Sequence, residues 1–143
     1  MRIEFTVNAI PIALPRQRIT TVGGHARAYM PTGAPINAFK AQVRMALSQV
    51  YHGAPLTGAI TLNLMAIFPR PKRLCWKTKP MPRELHTQKP DASNIAKGVE
   101  DALNGLAFVD DSQICNLWVT KWFASGAEQA HVVVVIEEIP VQH

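Results

Sequence analysis

The chain has 143 residues, 48% of them hydrophobic, and a formal net charge of +5. That is enough for one buried core and too apolar for a disordered chain. No stretch approaches the roughly 18 consecutive apolar residues of a membrane span. The opening Met1–Val7 carries Glu4 among its apolar residues and does not read as a secretory signal. Two cysteines, Cys75 and Cys115, make neither a disulfide framework nor a four-ligand zinc site. The expectation is one cytoplasmic domain, residues 1–143, with two free thiols and no membrane partner.

In chain order, Ile3, Phe5 and Val7 alternate with Arg2, Glu4 and Thr6, which predicts an amphipathic strand. Residues 8–35 read as irregular and rich in Pro and Gly, and include Arg16 and Arg18. Ile36, Phe39, Val43, Leu47 and Val50 recur at helical spacing, so residues 36–51 read as an amphipathic helix stopped by Gly53 and Pro55. Residues 59–68 read as a strand. A long loop follows from Arg70 to Pro90, then a helix over roughly 91–105. Strands are predicted at 114–124 and 131–138. Val133 and Val135 leave the second face of the last strand apolar, which implies cover on both sides or a subunit contact. The order β-α-β-α-β-β predicts a single α+β domain, a mixed sheet packed against two helices.

Charge is unevenly placed. Residues 1–89 carry thirteen basic and two acidic side chains, net +11, and residues 90–143 carry two and eight, net −6. Such asymmetry points to a polyanionic partner, with a divalent cation reconciling the acidic part to phosphates. The alternative is a solvated basic loop with no partner. The loop supplies Arg70, Lys72, Arg73, Lys77, Lys79, Arg83 and Lys89, with Glu84 its one acid. Trp76 within it would either stack on an exposed base or pin the loop to the body. Trp118 and Trp122 share a strand face and read as core or interface. The five histidines show no metal-ligand spacing and read as surface or terminal.

The segment Lys89-Pro90-Asp91-Ala92-Ser93-Asn94-Ile95-Ala96-Lys97 concentrates the chemistry. On a helix, Ile95, Val99, Ala102 and Leu103 face inward, while Asn94, Lys97 and Asp101 fall together on the other side. Asp91 enters near the same edge. Asp110 and Asp111 follow just before a strand, where one of the two would face Asp91. Carboxylates from separate elements, with a lysine and a basic loop, suit Mg²⁺-dependent phosphodiester chemistry. The competing reading makes Asp91 or Ser93 a helix cap, Lys97–Asp101 a surface pair and Asp110–Asp111 a turn.

The string Lys89–Lys97, then Val99-Glu100-Asp101-Ala102-Leu103-Asn104-Gly105, then Asp110-Asp111-Ser112-Gln113, resembles the RusA family of Holliday-junction resolvases, common in phages and prophages. Pro15-Arg16-Gln17-Arg18 after a first strand fits the same family. The resemblance implies a homodimeric, Mg²⁺-dependent (or Mn²⁺-dependent) endonuclease that nicks opposing strands of a four-way DNA junction. By position it implies Asp91 and Asp111 as metal-binding acids, Lys97 as catalytic lysine, Asp110 as the neighbouring motif acid, and Asn94 and Asp101 as residues that organise the site. DNA contacts would come from Arg16, Arg18, Arg70, Lys72, Arg73, Lys77, Lys79 and Lys89. Ser93 departs from the pattern, which has aspartate there; a hydroxyl is a neutral, weaker ligand. That departure keeps open a second reading, a non-catalytic relative that binds junctions. A third, an RNA or single-strand binding module, has no aromatic RNA-binding signature to support it.

Overall fold

The structure is a computed structural model that describes residues 1–15, 18–22, 25–29 and 35–140. Its elements are β1 (Arg2–Val7), β2 (Arg18–Val22), β3 (His25–Tyr29), α1 (Pro35–Val50), β4 (Ile60–Phe68), β5 (Glu84–Leu85), α2 (Ala92–Leu103), β6 (Ile114–Phe123) and β7 (His131–Glu138). Short 3-10 turns occupy Lys72–Leu74 and Asp111–Gln113.

Five strands form one mixed sheet in the order β1-β7-β4-β6-β5. The β4–β6 pair is parallel and the others antiparallel. A parallel pair needs a crossover, and the segment containing the basic loop and α2 supplies it. Register fixes which residues share a face. Phe5, Val134, Leu64 and Val119 line up across four strands, as do Ile3, Ile136, Leu62 and Leu117. Both helices pack on this side. α1 contributes Ile36, Phe39, Val43 and Leu47, and α2 contributes Val99, Ala102 and Leu103 to the same core. Gly98 of α2 lies so close to α1 that an added Cβ would stand 3.1 Å from Ile36 Cδ1. Gly105, at φ +80°, ends α2 in the left-handed conformation that glycine accepts without strain.

The α+β class, single domain, mixed sheet and two helices agree with expectation. Three features differ. The stretch expected to be irregular contains the antiparallel β2–β3 pair. Its Ile, Thr and Val residues favour strands, and Gly23 and Gly24 stand between the two runs in sequence. Residues 84–85, within the long loop, add β5 at one edge. The opposite face of the sheet, for which cover or a subunit contact was expected, carries no helix among the described residues. Val135, Asn63 and Trp118 lie across it, and of the two expectations for Trp118, core or interface, its 66% exposure excludes the core.

Candidate functional site

α2 starts at Asp91, whose backbone occupies the cap position while its carboxylate makes no capping hydrogen bond. The Asn94 N–H donates instead to the Asp91 backbone carbonyl at 3.1 Å, and the Asp91 carboxylate stays open to solvent. A cleft of about 460 Å³ opens here between Ala13, Leu14, Pro15, Lys89, Pro90, Asp91 and Asn94. Leu14 N–H donates to the Asn94 carbonyl at 3.0 Å, tying the cleft's far wall to the helix. Lys121 Nζ donates to the carbonyls of Gln88 at 2.5 Å and Pro90 at 2.7 Å, fixing the entry to α2. One cation of the acidic half is therefore a strut.

The Asp110-Asp111-Ser112-Gln113 segment folds as a capping box. Ser112 N–H donates to Asp110 Oδ2 at 3.1 Å, and Asp110 N–H donates to Gln113 Oε1 at 2.8 Å. Hydrogen bonding from the Ser112 hydroxyl, then from the Ser112 N–H, with smaller contributions from the Asp111 N–H and the Asn104 side chain, holds the Asp110 carboxyl below its ordinary range. Gln113 Nε2 donates to the carbonyls of Leu56 and Gly58, each at 2.9 Å, and so anchors the turn to the chain before β4. Both acids are exposed, but the Asp110 carboxylate is committed to the cap, which leaves Asp111 as the acid the turn presents.

Glu100, which sequence reasoning passed over, belongs beside Asp111. Its carboxyl is pushed up by burial, then by the charges of Asp111 and Asp101, against the pull of Lys97. Its signal lay in spacing, since Ser93, Lys97 and Glu100 stand at i, i+4 and i+7 on one stripe of α2. Asp101, expected on one face with Asn94 and Lys97, pairs with Lys40 of α1 at 3.4 Å, so the Lys97–Asp101 surface pair of the competing reading does not form. Asn94 borders the Asp91 cleft.

The structure does not bring Asp91 and Asp111 together within one chain. α2 runs opposite to β6. Its start is tied to Lys121 near the end of β6, whereas its end meets Asp110 and Asp111 just before β6. The nine positions from Asp91 to Glu100 alone span roughly 13 Å at about 1.5 Å each. Accordingly, no group of three His, Cys, Asp or Glu side chains among the described residues is placed to hold a metal ion. Mg²⁺ asks for less, commonly one or two carboxylates with water completing the shell. Asp111 with Glu100 meets that lower demand, and Ser93 stands further along the same stripe.

The basic loop is more ordered than its composition implied. Arg70, expected on DNA, is turned inward, its side chain 5% exposed. It donates to the carbonyls of Leu74 at 2.7 Å, Pro82 at 2.6 Å and Ala124 at 3.3 Å, and pairs with Glu84 at 3.2 Å. Four acceptors around one fork leave it no reach toward a ligand, so it is an internal clamp. Arg83 is similarly committed, to Glu128. Lys72, Arg73, Lys77, Lys79 and Lys89 remain exposed. Trp76 lies between Arg70, 5.2 Å from its ring centre, and Lys79, 5.7 Å, which is the pinned arrangement. His86, expected at the surface, is buried with its ring stacked on Phe123 at 4.2 Å and edge-on to Phe68 at 4.7 Å. Burial, then the Lys121 charge, pulls its pKa below the ordinary value. Arg16 lies outside the described residues, and Arg18 is described only by its place in β2. Cys75 and Cys115 are free and exposed, and no helix among the described residues is long and apolar enough to cross a membrane.

A family profile described as "Endodeoxyribonuclease RusA" matches residues 9–137. An uncharacterized protein of Bacillus subtilis (strain 168), YqaN, is 33% identical over 142 residues, covering 96% of each chain.

Proposed function

Because the chain belongs to the RusA endodeoxyribonuclease family, we propose that it is a cytoplasmic, Mg²⁺-dependent, structure-selective endonuclease. Its substrate is a four-way DNA junction, and it acts as a homodimer in recombination and repair. The observation that carries the reading is the exposure of the motif side chains along α2 and its flanking turns. Asp91 is uncapped at one end, Lys97 projects in the middle, and Asp111 is presented by a dedicated turn at the other. A merely structural motif would have spent these groups on internal bonds, as it spends Asp110 and Gln113.

In this reading the exposed cations Lys72, Arg73, Lys77, Lys79 and Lys89 hold phosphates, Lys89 from the wall of the Asp91 cleft, and Arg16 and Arg18 are further DNA contacts. Asp111, with Glu100 beside it, is the carboxylate site for Mg²⁺ at one end of α2, and Asp91 offers a second carboxylate at the other, with the Ser93 hydroxyl close to it in sequence. The bound cation would supply an activated water and charge neutralisation at the phosphate. Lys97 offsets negative charge that grows on the phosphoryl oxygens in the transition state. Asn94 shapes the cleft wall, and Asp101 holds α2 against α1 through Lys40.

The second reading, a junction binder that does not cut, rests on Ser93 in place of aspartate. One experiment separates the two. The protein is incubated with a synthetic four-way junction and with matching duplex, without metal and with Mg²⁺ or Mn²⁺. Paired nicks in opposing strands establish the nuclease. Tight junction binding without nicks in either metal favours the binder. Equal affinity for junction and duplex sinks both.

A further inference from the structure

Residues 90–143 hold only two cations, Lys97 and Lys121. Lys97 belongs to the motif, and Lys121 lies outside it, on β6. Its partner in the β4–β6 register is Ala66, two places beyond Leu64, so it stands on the face of the sheet that carries the helices. From there it meets the approach to α2 at three points. Its carbonyl accepts the His86 N–H at 3.0 Å, and its Nζ donates to the Gln88 and Pro90 carbonyls. Gln88 is held on its other side as well, its N–H donating to His86 Nδ1 at 3.2 Å. Among the described residues Lys121 enters no ion pair. A half-buried ammonium is thus held by neutral carbonyls, at a desolvation cost that no opposite charge offsets.

The Pro90 carbonyl matters most of the three. It shares a planar peptide unit with the Asp91 nitrogen, so fixing its oxygen fixes where the Asp91 backbone begins. From the other side, the Asp91 carbonyl accepts the Asn94 N–H at 3.1 Å and the Ile95 N–H at 3.2 Å, which ties it to the first turn of α2. Asp91 is therefore clamped before and after, and only its side chain, free of any capping bond, is left to turn. Lys89, Pro90 and Asp91 then line the cleft together.

We propose that Lys121 is a positioning residue for the endonuclease reaction: it docks the peptide before Asp91 onto β6, so that the carboxylate is presented to the cleft as a cation ligand. The inference rests on the reading of Asp91 as a metal carboxylate and extends it to a residue outside the motif. Charge and position make opposite demands here. By charge alone, removing a cation beside a metal site tightens metal binding. Releasing the support of a ligand weakens it, by about 10–100-fold where outer supports of metal ligands are lost.

The test begins without DNA. Mn²⁺ binding is followed by electron paramagnetic resonance for wild type, Lys121→Met and Lys121→Arg. Lys121→Met should bind Mn²⁺ about 10–100-fold more weakly, and Lys121→Arg, which keeps donors and charge, should recover most of the affinity. In the metal-free protein, Lys121→Met should quicken hydrogen exchange at the Gln88 and Asn94 amides and leave the β4–β6 ladder protected. Arg83→Gln, which frees the same loop at Glu128 instead, should leave Mn²⁺ affinity unchanged. With a junction present, Lys121→Met should keep its affinity in EDTA, need more Mg²⁺ for half-maximal nicking, and regain its rate in excess Mg²⁺.

Unchanged or tighter Mn²⁺ binding by Lys121→Met, an equal loss in Arg83→Gln, or a larger loss of junction affinity than of metal affinity would each overturn the proposal. Should Lys121→Met not fold, Lys121→Gln, which keeps an N–H donor without the charge, takes its place in every measurement. If wild type neither binds Mn²⁺ nor nicks, the nuclease reading falls and this proposal with it. If wild type does both and Lys121→Met does so equally well, only this proposal falls.

Discussion

At the scale of single residues, the motif separates into side chains that build and side chains left free. Gln113 is a builder. Gln113→Ala strips partners from two carbonyls and from the Asp110 N–H, and should cost about 1–3 kcal/mol in urea unfolding. Asp111→Asn keeps shape and loses charge; it should abolish nicking and retain junction affinity by gel shift. Full nicking by that variant would take Asp111 off the list of working residues. Ser93→Asp adds a carboxylate to the Lys97–Glu100 stripe and should lower the Mg²⁺ concentration at half-maximal cleavage. An unmoved or higher midpoint would mean that Ser93 is not a ligand position. The sequence showed which residue types matter, through spacing and resemblance. It could not show that Asp110 is committed to capping its turn, because capping depends on backbone dihedrals that neither periodicity nor composition reports. Nor did it show Glu100 as the neighbour of Asp111, since that proximity arises from a turn folding back on the helix end.

At the scale of elements, the long basic loop was legible as a charge cluster and not as a structure. Its order comes from Arg70, Arg83 and His86, each reaching residues far along the chain. Composition treats every arginine as a surface cation, whereas geometry sorts them. Replacing Lys72, Arg73, Lys77 and Lys79 together should weaken junction binding and flatten its salt dependence. Arg70→Ala should instead loosen the loop, read as a red shift of tryptophan emission and faster proteolysis between residues 70 and 90. Acid should open the loop in two stages. His86 has a folded pKa below 6.5, so the stability it lends is complete above that value and falls as pH drops beneath it. Glu128, held at about 2 by Arg83 and the Ser125 N–H, loses its contribution as pH falls from 4.5 toward 2. His86→Phe should remove the first stage and leave the second. If both stages survive that substitution, another group is titrating.

At the scale of the whole molecule, the strand and helix positions were readable almost to the residue wherever apolar periodicity was strong, as in β1, α1 and β7. What periodicity could not give was direction. The parallel β4–β6 pair makes α2 run back along β6, and that alone moves Asp91 and Asp111 to opposite ends of a helix that sequence reading had used to join them. The proposed homodimer predicts a melting temperature that rises with protein concentration, whereas a monomer's is flat. Differential scanning fluorimetry over a hundredfold dilution distinguishes the two.

β7, the last strand of the chain, sits between β1 and β4, pairing Arg2 with Glu137 and Ile60 with Glu138. During synthesis the first strand therefore waits for the last. β1 has no sheet neighbour other than β7, so a ribosome must release more than a hundred further residues before the first strand is paired. Contacts of such long sequence separation slow folding, because the intervening chain must be closed into a loop first. Until then the apolar sides of β1 and β4 stand unpaired in a crowded cell. A nascent chain stalled before residue 131 should remain protease-sensitive from end to end, and one extended past Glu138 and clear of the exit tunnel should become resistant in a single step.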